Sequence, residues 1–264
     1  MYTFDYQRPA NTAAAAAAFQ GDTRYLAGGQ SLIQAMKLRL SSSERLVDLG
    51  GAGELKGIRM DGANVVIGAM TTHATVAASA EVRKAIPALA ELAGGIGDQM
   101  VRNMGTLGGS IANADPAACY PAAVLGLGAT VHTNKRTIAG DSFFTGLYET
   151  ALQPGELITA VSFAVPAKAA YIKYKQPASR FALVGVFVSQ SASGVRVAVT
   201  GAKGSVFRVK AMEDALAKNF SAATAKAVKV GTEGINADMH GTAEYRAAMI
   251  SVMASRAVAA ANAR

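Results

Sequence analysis

The sequence predicts an α+β fold, and three observations carry that prediction. Residues 1–166 alternate short apolar runs with small, alanine-rich helical stretches, each pair parted by turn residues. Residues 167–264 change habit: three apolar runs close together come first, then helical periodicity to the end. Across 264 residues, 51% are apolar and 17% charged, which excludes a disordered chain and provides material for large cores.

From the N-terminus, residues 4–9 alternate loosely and stop at Pro9, as a short strand does. Asn11 or Thr12 caps an alanine-rich helix over 13–19, which Gly21 and Asp22 end. Residues 24–27 form a strand feeding a Gly-Gly loop, after which Ser31 caps a helical turn with Leu32, Ile33, Ala35 and Met36 inward. Residues 45–48 are another strand, and 50–53 a glycine-rich break that marks a subdomain seam. Residues 55–60 and 65–67 make a hairpin around Asp61-Gly62. Thr71 or Thr72 caps the next helix, which begins around Val76. A helix over 81–94 follows, with Pro87 near its first turn and Ile86, Leu89, Ala90 and Leu92 in the core.

Residues 120–127 read as an apolar helix, 129–133 as a strand, and 157–166 as a strand with clear alternation. Thr137 and Ile138 open a short excursion, closed by a turn that Asp141 or Ser142 caps and that contains Phe143 and Phe144. The runs 170–175, 181–190 and 194–202 form an antiparallel meander. Helices are expected over 213–220, 221–230 and 244–261, the last with Tyr245, Met249, Val252, Met253 and Val258 as its core stripe.

Two stretches stand out as sites. One is Ala27-Gly28-Gly29-Gln30-Ser31-Leu32; the other is Thr106-Leu107-Gly108-Gly109-Ser110, led by Arg102 and Asn103 and followed by Asn113 and Asp115. Each sets a glycine pair beside a hydroxyl residue and continues into apolar side chains. Glycine permits turns closed to other residues and lets a ligand approach the backbone. Exposed N–H groups in such a turn make a concavity for an anion. A single Gly-Gly-Ser is an ordinary turn, but two matched copies suggest a pyrophosphate gripped from two sides. Neither is a dinucleotide fingerprint or a P-loop. Lys37 and Arg39 lie along the anion's edge or on a solvated rim, and His73 reaches a ligand or is structural. Buried, Arg102 and Asn103 would hydrogen-bond the second loop and fix its shape.

Other chemistry is excluded. One cysteine, Cys119, allows neither an intrachain disulfide nor an iron–sulfur cluster held by this chain. Three histidines lie far apart, no metal site is expected, and no carboxylate pair or nucleophile–histidine spacing appears. The formal charge of +8 is scattered, without interleaved aromatics, so no nucleic-acid module is expected. It suits an anionic cofactor or an acidic partner subunit. The low charged fraction hints at surface covered by a partner. The N-terminus lacks the features of a signal peptide and no run is long enough for a membrane span, so cytoplasm is the expected location.

The paired loops also carry a resemblance. With Phe4-Asp5-Tyr6-Gln7-Arg8-Pro9, Met36-Lys37-Leu38-Arg39, Ile67-Gly68-Ala69, Thr71-Thr72-His73, the run 101–116, Lys175-Gln176-Pro177-Ala178-Ser179-Arg180-Phe181 and Ala243-Glu244-Tyr245-Arg246, the sequence resembles the FAD-binding medium subunit of molybdenum hydroxylases. These are the xanthine dehydrogenase, aldehyde oxidase and carbon monoxide dehydrogenase family, and the likeness covers nearly the whole chain.

The resemblance implies a two-part FAD-binding domain of the vanillyl-alcohol-oxidase/PCMH type over 1–166, with subdomains about 1–53 and 54–166, then a smaller α+β domain over 167–264. It implies that Ala27, Gly28, Gly29, Gln30, Ser31 and Leu32, and Thr106, Gly108, Gly109 and Ser110, hold the FAD pyrophosphate and ribityl region, with Asn113 and Asp115 beside them. Leu157 or Ile158 would lie against the isoalloxazine ring or serve as sheet core. Lys175 resembles the lysine near the flavin. A usual aspartate is replaced by Cys119, a weak donor and acceptor.

By resemblance, partner subunits supply two [2Fe–2S] clusters and a molybdopterin cofactor, in a heterotrimer or its dimer. Substrate is hydroxylated at molybdenum, and electrons pass through the clusters to FAD and on to an external acceptor. A stand-alone FAD oxidoreductase, or a basic scaffold subunit without flavin, stays open beside that reading.

Overall fold

The computed structural model describes residues 1–264 and forms the α+β fold expected. Three sheets organise it. The first holds β1 (Asp5–Gln7), β2 (Thr23–Leu26) and β3 (Arg45–Asp48) in the order β1-β3-β2, all parallel. Parallel neighbours need crossovers, and these are the helices α1 (Thr12–Ala17) and α2 (Leu32–Lys37). Asn11 caps α1 by accepting from the Ala14 N–H at 2.8 Å. Ser31 precedes α2 but makes no side-chain cap.

The second sheet is antiparallel throughout. It runs β4 (Ile58–Asp61), β5 (Asn64–Gly68), then β10 (Ile158–Ala164), β6 (Thr130–Thr133) and β7 (Thr137–Ala139). In the middle strand Val161 faces Ile67 on one side and Val131 on the other, and all three are fully buried. The chain between β5 and β6 is helical: α3 (His73–Ala78), α4 (Ala80–Ala85), α5 (Pro87–Gly94), α6 (Gln99–Met104), α7 (Leu107–Asn113) and α8 (Tyr120–Gly126). A small hairpin of β8 (Phe144–Gly146) and β9 (Glu149–Thr150) precedes β10.

The third sheet has the order β11-β12-β13-β14, with β11 (Lys168–Lys175), β12 (Ala182–Ser191), β13 (Gly194–Thr200) and β14 (Phe207–Arg208) all antiparallel. Strand β12 is buried on both faces. Val184, Val186 and Val188 pack with α11 (Ala243–Asn262), α9 (Lys210–Lys218) and α10 (Ala222–Ala227). Phe187 points the other way, into the core that the second sheet shares with α5 and α8. This explains why 182–188 reads as a continuous apolar run. A Cβ on Gly126 would lie 2.6 Å from the Phe187 ring, so the seam between α8 and β12 is closed to any larger residue.

Besides Ser31, and α3, which begins at His73 and not around Val76, four further expectations need correction. The helix over 81–94 is two helices, because Pro87 forces Ile86 out of helical geometry (φ −139°). The central glycine stretch is not a loop: Gly108 and Gly109 sit inside α7, and the run before it is α6. Arg102 and Asn103 do not bond that stretch. Arg102 donates to the Ile96 and Gly97 carbonyls, both at 3.0 Å, and exposed Asn103 accepts from Gln99.

The last helix keeps its apolar face, but one position round. Ala247, Ile250, Met253, Ala254, Ala257 and Val258 are buried. Tyr245 is exposed, and its neighbour Arg246 is buried instead, donating to the Leu183 and Gly201 carbonyls and to the Asp238 carboxylate. A buried guanidinium, paired through both of its terminal nitrogens, defeats any periodicity count that treats arginine as surface.

Candidate functional site

The three sheets leave between them a cleft of about 550 Å³. Cofactor sites span roughly 300–1,000 Å³. The first sheet and its loop form one wall, the second sheet with α6 and α7 another, and the tip between β11 and β12 overhangs the opening.

Of the residues expected at a ligand, Ala27, Gly29, Gln30, Ser31, Leu32, Thr106, Gly108, Gly109, Ser110, Asn113, Asp115 and Leu157 line the cleft. Gly28 and Lys175 do not. The reason at Gly28 is physical. A Cβ there would lie 2.1 Å from the Met104 carbonyl oxygen and 2.8 Å from the Gly105 Cα. Gly28 is therefore where the two glycine stretches touch, backbone on backbone. Gly109 meets the other side of the same contact, its Cβ direction 3.1 Å from the Ala27 methyl. Gly29 has φ 71°, the left-handed conformation that favours glycine.

The two stretches differ in what they offer a ligand. In the second, the Leu107 and Gly108 N–H groups donate to Thr71 and Ala69 carbonyls, and Gly109 donates to the Thr106 hydroxyl at 3.1 Å. Thr106 is thus the cap of α7, and its N–H neighbours are spent. In the first, the N–H groups of Gly28, Gly29, Gln30 and Ser31 donate to no acceptor within the chain. Three of these, on Gly29, Gln30 and Ser31, belong to residues lining the cleft, and successive unpaired N–H groups of this kind can receive an anion.

The floor is less polar. Leu157 is 2% exposed and belongs both to the cleft lining and to the small core under the first sheet. Its position is fixed by Asn134, which accepts from the Leu157 N–H, and by neighbouring Glu156. Arg136 donates to Glu156 at 3.0 and 3.1 Å, with Thr133 and the Gln153 N–H completing its shell; the guanidinium contacts hold the carboxyl at about 2.

His73 lines the cleft from the start of α3, its N–H on the Gly105 carbonyl. Burial, and then the Arg102 charge, push its imidazole down to about 4, so it is neutral at pH 7. Its Nδ1 is buried without a partner in the chain.

Cys119 is buried at the inner end and lines the cleft. Lys173 donates to its sulfur at 3.3 Å and to the Gly95 carbonyl at 2.8 Å. Lys173, not Lys175, is the strand β11 lysine that lines the cleft. The register shifts between Tyr174 and Lys175, with the extra residue, Leu183, on β12, and Lys175 at the end of β11 is exposed. Arg24 and Arg180 are the other lining cations, and none of the three is in an ion pair. Sequence reading missed Arg24, Lys173 and Arg180; an isolated basic residue carries no signal of where its tip lies. Lys37 and Arg39 stay outside the cleft lining, with Arg39 resting over the Tyr2 ring.

These features suit a dinucleotide: free N–H donors on one wall for phosphates, and a buried aliphatic floor for a ring. No helix is long and apolar enough to cross a membrane. Residues 2–167 match the model of the FAD binding domain in molybdopterin dehydrogenase. The chain is 39% identical to the carbon monoxide dehydrogenase medium chain of Afipia carboxidovorans, over 99% of this chain and 98% of that one. It is 35% identical to the nicotine 6-hydroxylase medium subunit of Paenarthrobacter nicotinovorans, over 92% and 91%. Its fold superposes on reconstituted CO dehydrogenase from Oligotropha carboxidovorans with a TM-score of 0.90, at 35% identity over 100% of this chain and 99% of that one. The glycine pairs, the cleft between them and these full-length likenesses agree: this chain belongs to the family of FAD-binding medium subunits of the molybdenum hydroxylases.

Proposed function

We propose that this chain is the FAD-carrying electron-transfer subunit of a molybdenum-containing hydroxylase or dehydrogenase. Its partners are a small subunit with [2Fe–2S] clusters and a large subunit with the molybdopterin cofactor. The observation that carries the reading is the row of unpaired N–H groups from Gly28 to Ser31, set against α7 across a cleft of cofactor size. FAD supplies what no side chain here offers, the ability to take electrons one at a time and release two.

The protein's own part is to hold and orient. Gly29, Gln30 and Ser31 present donors to a pyrophosphate, and Ser110 and Asn113 face it from α7. Leu157 gives the ring an apolar surface from which water is excluded. Neutral His73 offers its buried Nδ1 as a hydrogen-bond partner without adding charge. Residues 1–166 act as the FAD-binding domain, with subdomains meeting near residue 53, and 167–264 as a C-terminal domain that closes the cleft with Lys173 and the β11–β12 tip.

The test is the absorption spectrum and metal content of the protein purified natively by gentle steps. Flavin bands together with molybdenum, iron and two companion chains are expected. Flavin without metals or companions would instead mark a stand-alone oxidoreductase, and no flavin at all would refute the reading. Gly109→Val should yield a folded chain that takes up no FAD, because its branched side chain meets Thr106 Oγ1 and the Ala27 methyl at about the 2.9–3.1 Å that a Cβ alone already reaches.

A further inference from the structure

The flavoprotein reading leaves the class of electron acceptor open, and the opening of the cleft bears on it. The tip between β11 and β12 is tightly tied. Gln176 donates to the Phe181 carbonyl and Arg180 to the Gln176 carbonyl, both at 2.9 Å. The Gln176 side-chain oxygen accepts from the Ala178 and Ser179 N–H groups at 2.5 and 3.0 Å. These bonds fix Arg180 at φ 64°, a conformation uncommon for a residue with a Cβ. The result is an exposed guanidinium held on a rigid turn at the edge of the cleft.

Charge at this edge is one-sided. Arg180 lines the opening, Lys173 lines the interior behind it, and exposed Lys175 lies between them on the chain; none has a carboxylate partner. Two acidic residues line the cleft. Glu156 is neutralised by Arg136, and Asp115 is occupied by the Ala117 N–H and the Tyr148 hydroxyl. Phosphate binding does not account for Arg180, because the free N–H groups sit on the opposite wall, in the first loop. An unpaired cation on a tied turn, with two more unpaired lysines near it in the chain, makes this edge electropositive. We propose that this rim captures a small anionic electron acceptor and steers it to the cleft.

The proposal rests on the flavoprotein reading, and its electron balance is simple. Each reduced FAD gives up two electrons. Two ferricyanides take one each and leave as ferrocyanide while the flavin's protons pass to solvent; a neutral benzoquinone takes both electrons with two protons and leaves as hydroquinone.

The experiment uses the full chain loaded with FAD, as wild type, Arg180→Glu and Lys175→Glu. Calorimetry measures binding of hexacyanocobaltate(III), a redox-inert trianion. Stopped-flow reoxidation of the dithionite-reduced protein compares ferricyanide with benzoquinone. At low salt either variant should weaken trianion binding about fivefold or more and lower the ferricyanide-to-quinone rate ratio about tenfold. Both effects should collapse in 1 M salt, where the screening length is about 3 Å. Unchanged trianion affinity, or equal slowing with both acceptors, overturns the rim. So does loss of FAD from a folded Arg180→Glu chain with trianion binding intact, which would assign the arginine to the cofactor. If Arg180→Glu fails to fold, Lys175→Glu decides alone. A wild type that binds FAD but no trianion overturns the rim only; a wild type that takes up no FAD overturns the flavoprotein reading and the rim with it.

Discussion

Gly28→Ala tests whether the two glycine stretches form one binding surface. The added methyl carbon would sit 2.1 Å from the Met104 carbonyl oxygen, where 3.0 Å is already the lower limit for such contacts. Both obstructing atoms are backbone, so no side chain can swing aside. The first loop and the C-terminus of α6 must part by about 1 Å, at an overpacking cost of about 1–3 kcal/mol. That displacement moves the Gly28–Ser31 N–H groups relative to α7, across which the cofactor must reach. FAD affinity should fall by about 5- to 150-fold, the same energy read as binding.

The assay is titration of the apo chain with FAD, followed by quenching of flavin fluorescence, with urea unfolding run in parallel. Gly53→Ala is the control, since its Cβ would meet nothing within 4 Å. It should leave both measurements within about 0.5 kcal/mol of wild type. A Gly28→Ala chain that binds FAD within twofold of wild type would refute the loop–loop argument. Lost stability with full affinity would refute it too, because the contact would then serve the fold alone.

Three further outcomes follow from the cleft's chemistry. Cys119→Asp should retain or tighten FAD, since a carboxylate 3.3 Å from the Lys173 ammonium accepts a charge-assisted bond where the thiol accepts a weak one; clear loss of flavin from the folded variant would reject the match of this position to the family's aspartate. Glu156 has a depressed folded pKa, so its stabilisation is full above its ordinary 4.5 and drains away as pH falls toward about 2; Glu156→Gln should lose about 2 kcal/mol at pH 7 and show a shallower acid limb in pH-dependent urea unfolding, and an unchanged limb would count against it. His73 is held neutral, also a depressed pKa, so protonating it opposes folding and stability should fall between pH 6.5 and about 4; His73→Gln should flatten that stretch of the curve, and a proton-NMR titration placing the imidazole near 6.5 would contradict the burial argument.

Much of the fold was legible in the sequence, and the failures share a cause. Strands announced themselves where one side chain in two is buried, as around Val161, or where both faces are covered, as in β12. The Asp-Gly hairpin and the Asn11 cap followed from turn and cap chemistry. The two glycine stretches were legible as a pair, but not the division of labour between them. Local rules assign glycine to loops, and at Gly108 and Gly109 tertiary contact overrides them: the segment is a helix, and Gly108 is glycine because the Ala69 methyl would lie 2.6 Å from any Cβ there. The same holds for Lys175 and Lys173. Choosing between them needed the contacts of Lys173 with Gly95 and Cys119, residues 78 and 54 positions away that no local window contains.

The division of labour between the loops bears on how the site is assembled. The first loop belongs to the parallel sheet and the second to the helical stretch of the antiparallel one, so each is useless until the two pack. Gly28 against Met104 is the point of packing; the first loop's N–H groups stay unpaired beside it, while those of the second stretch are already satisfied. An anion bound there gains from both parts at once. It should therefore stabilise their association by mass action, binding the packed state and not the separated one. Urea unfolding with and without FAD follows directly: saturating cofactor should raise the midpoint for the first sheet and for α7 together. A rise confined to one of them would mean that the cleft is a feature of a single part, and that the backbone contact at Gly28 is incidental to binding.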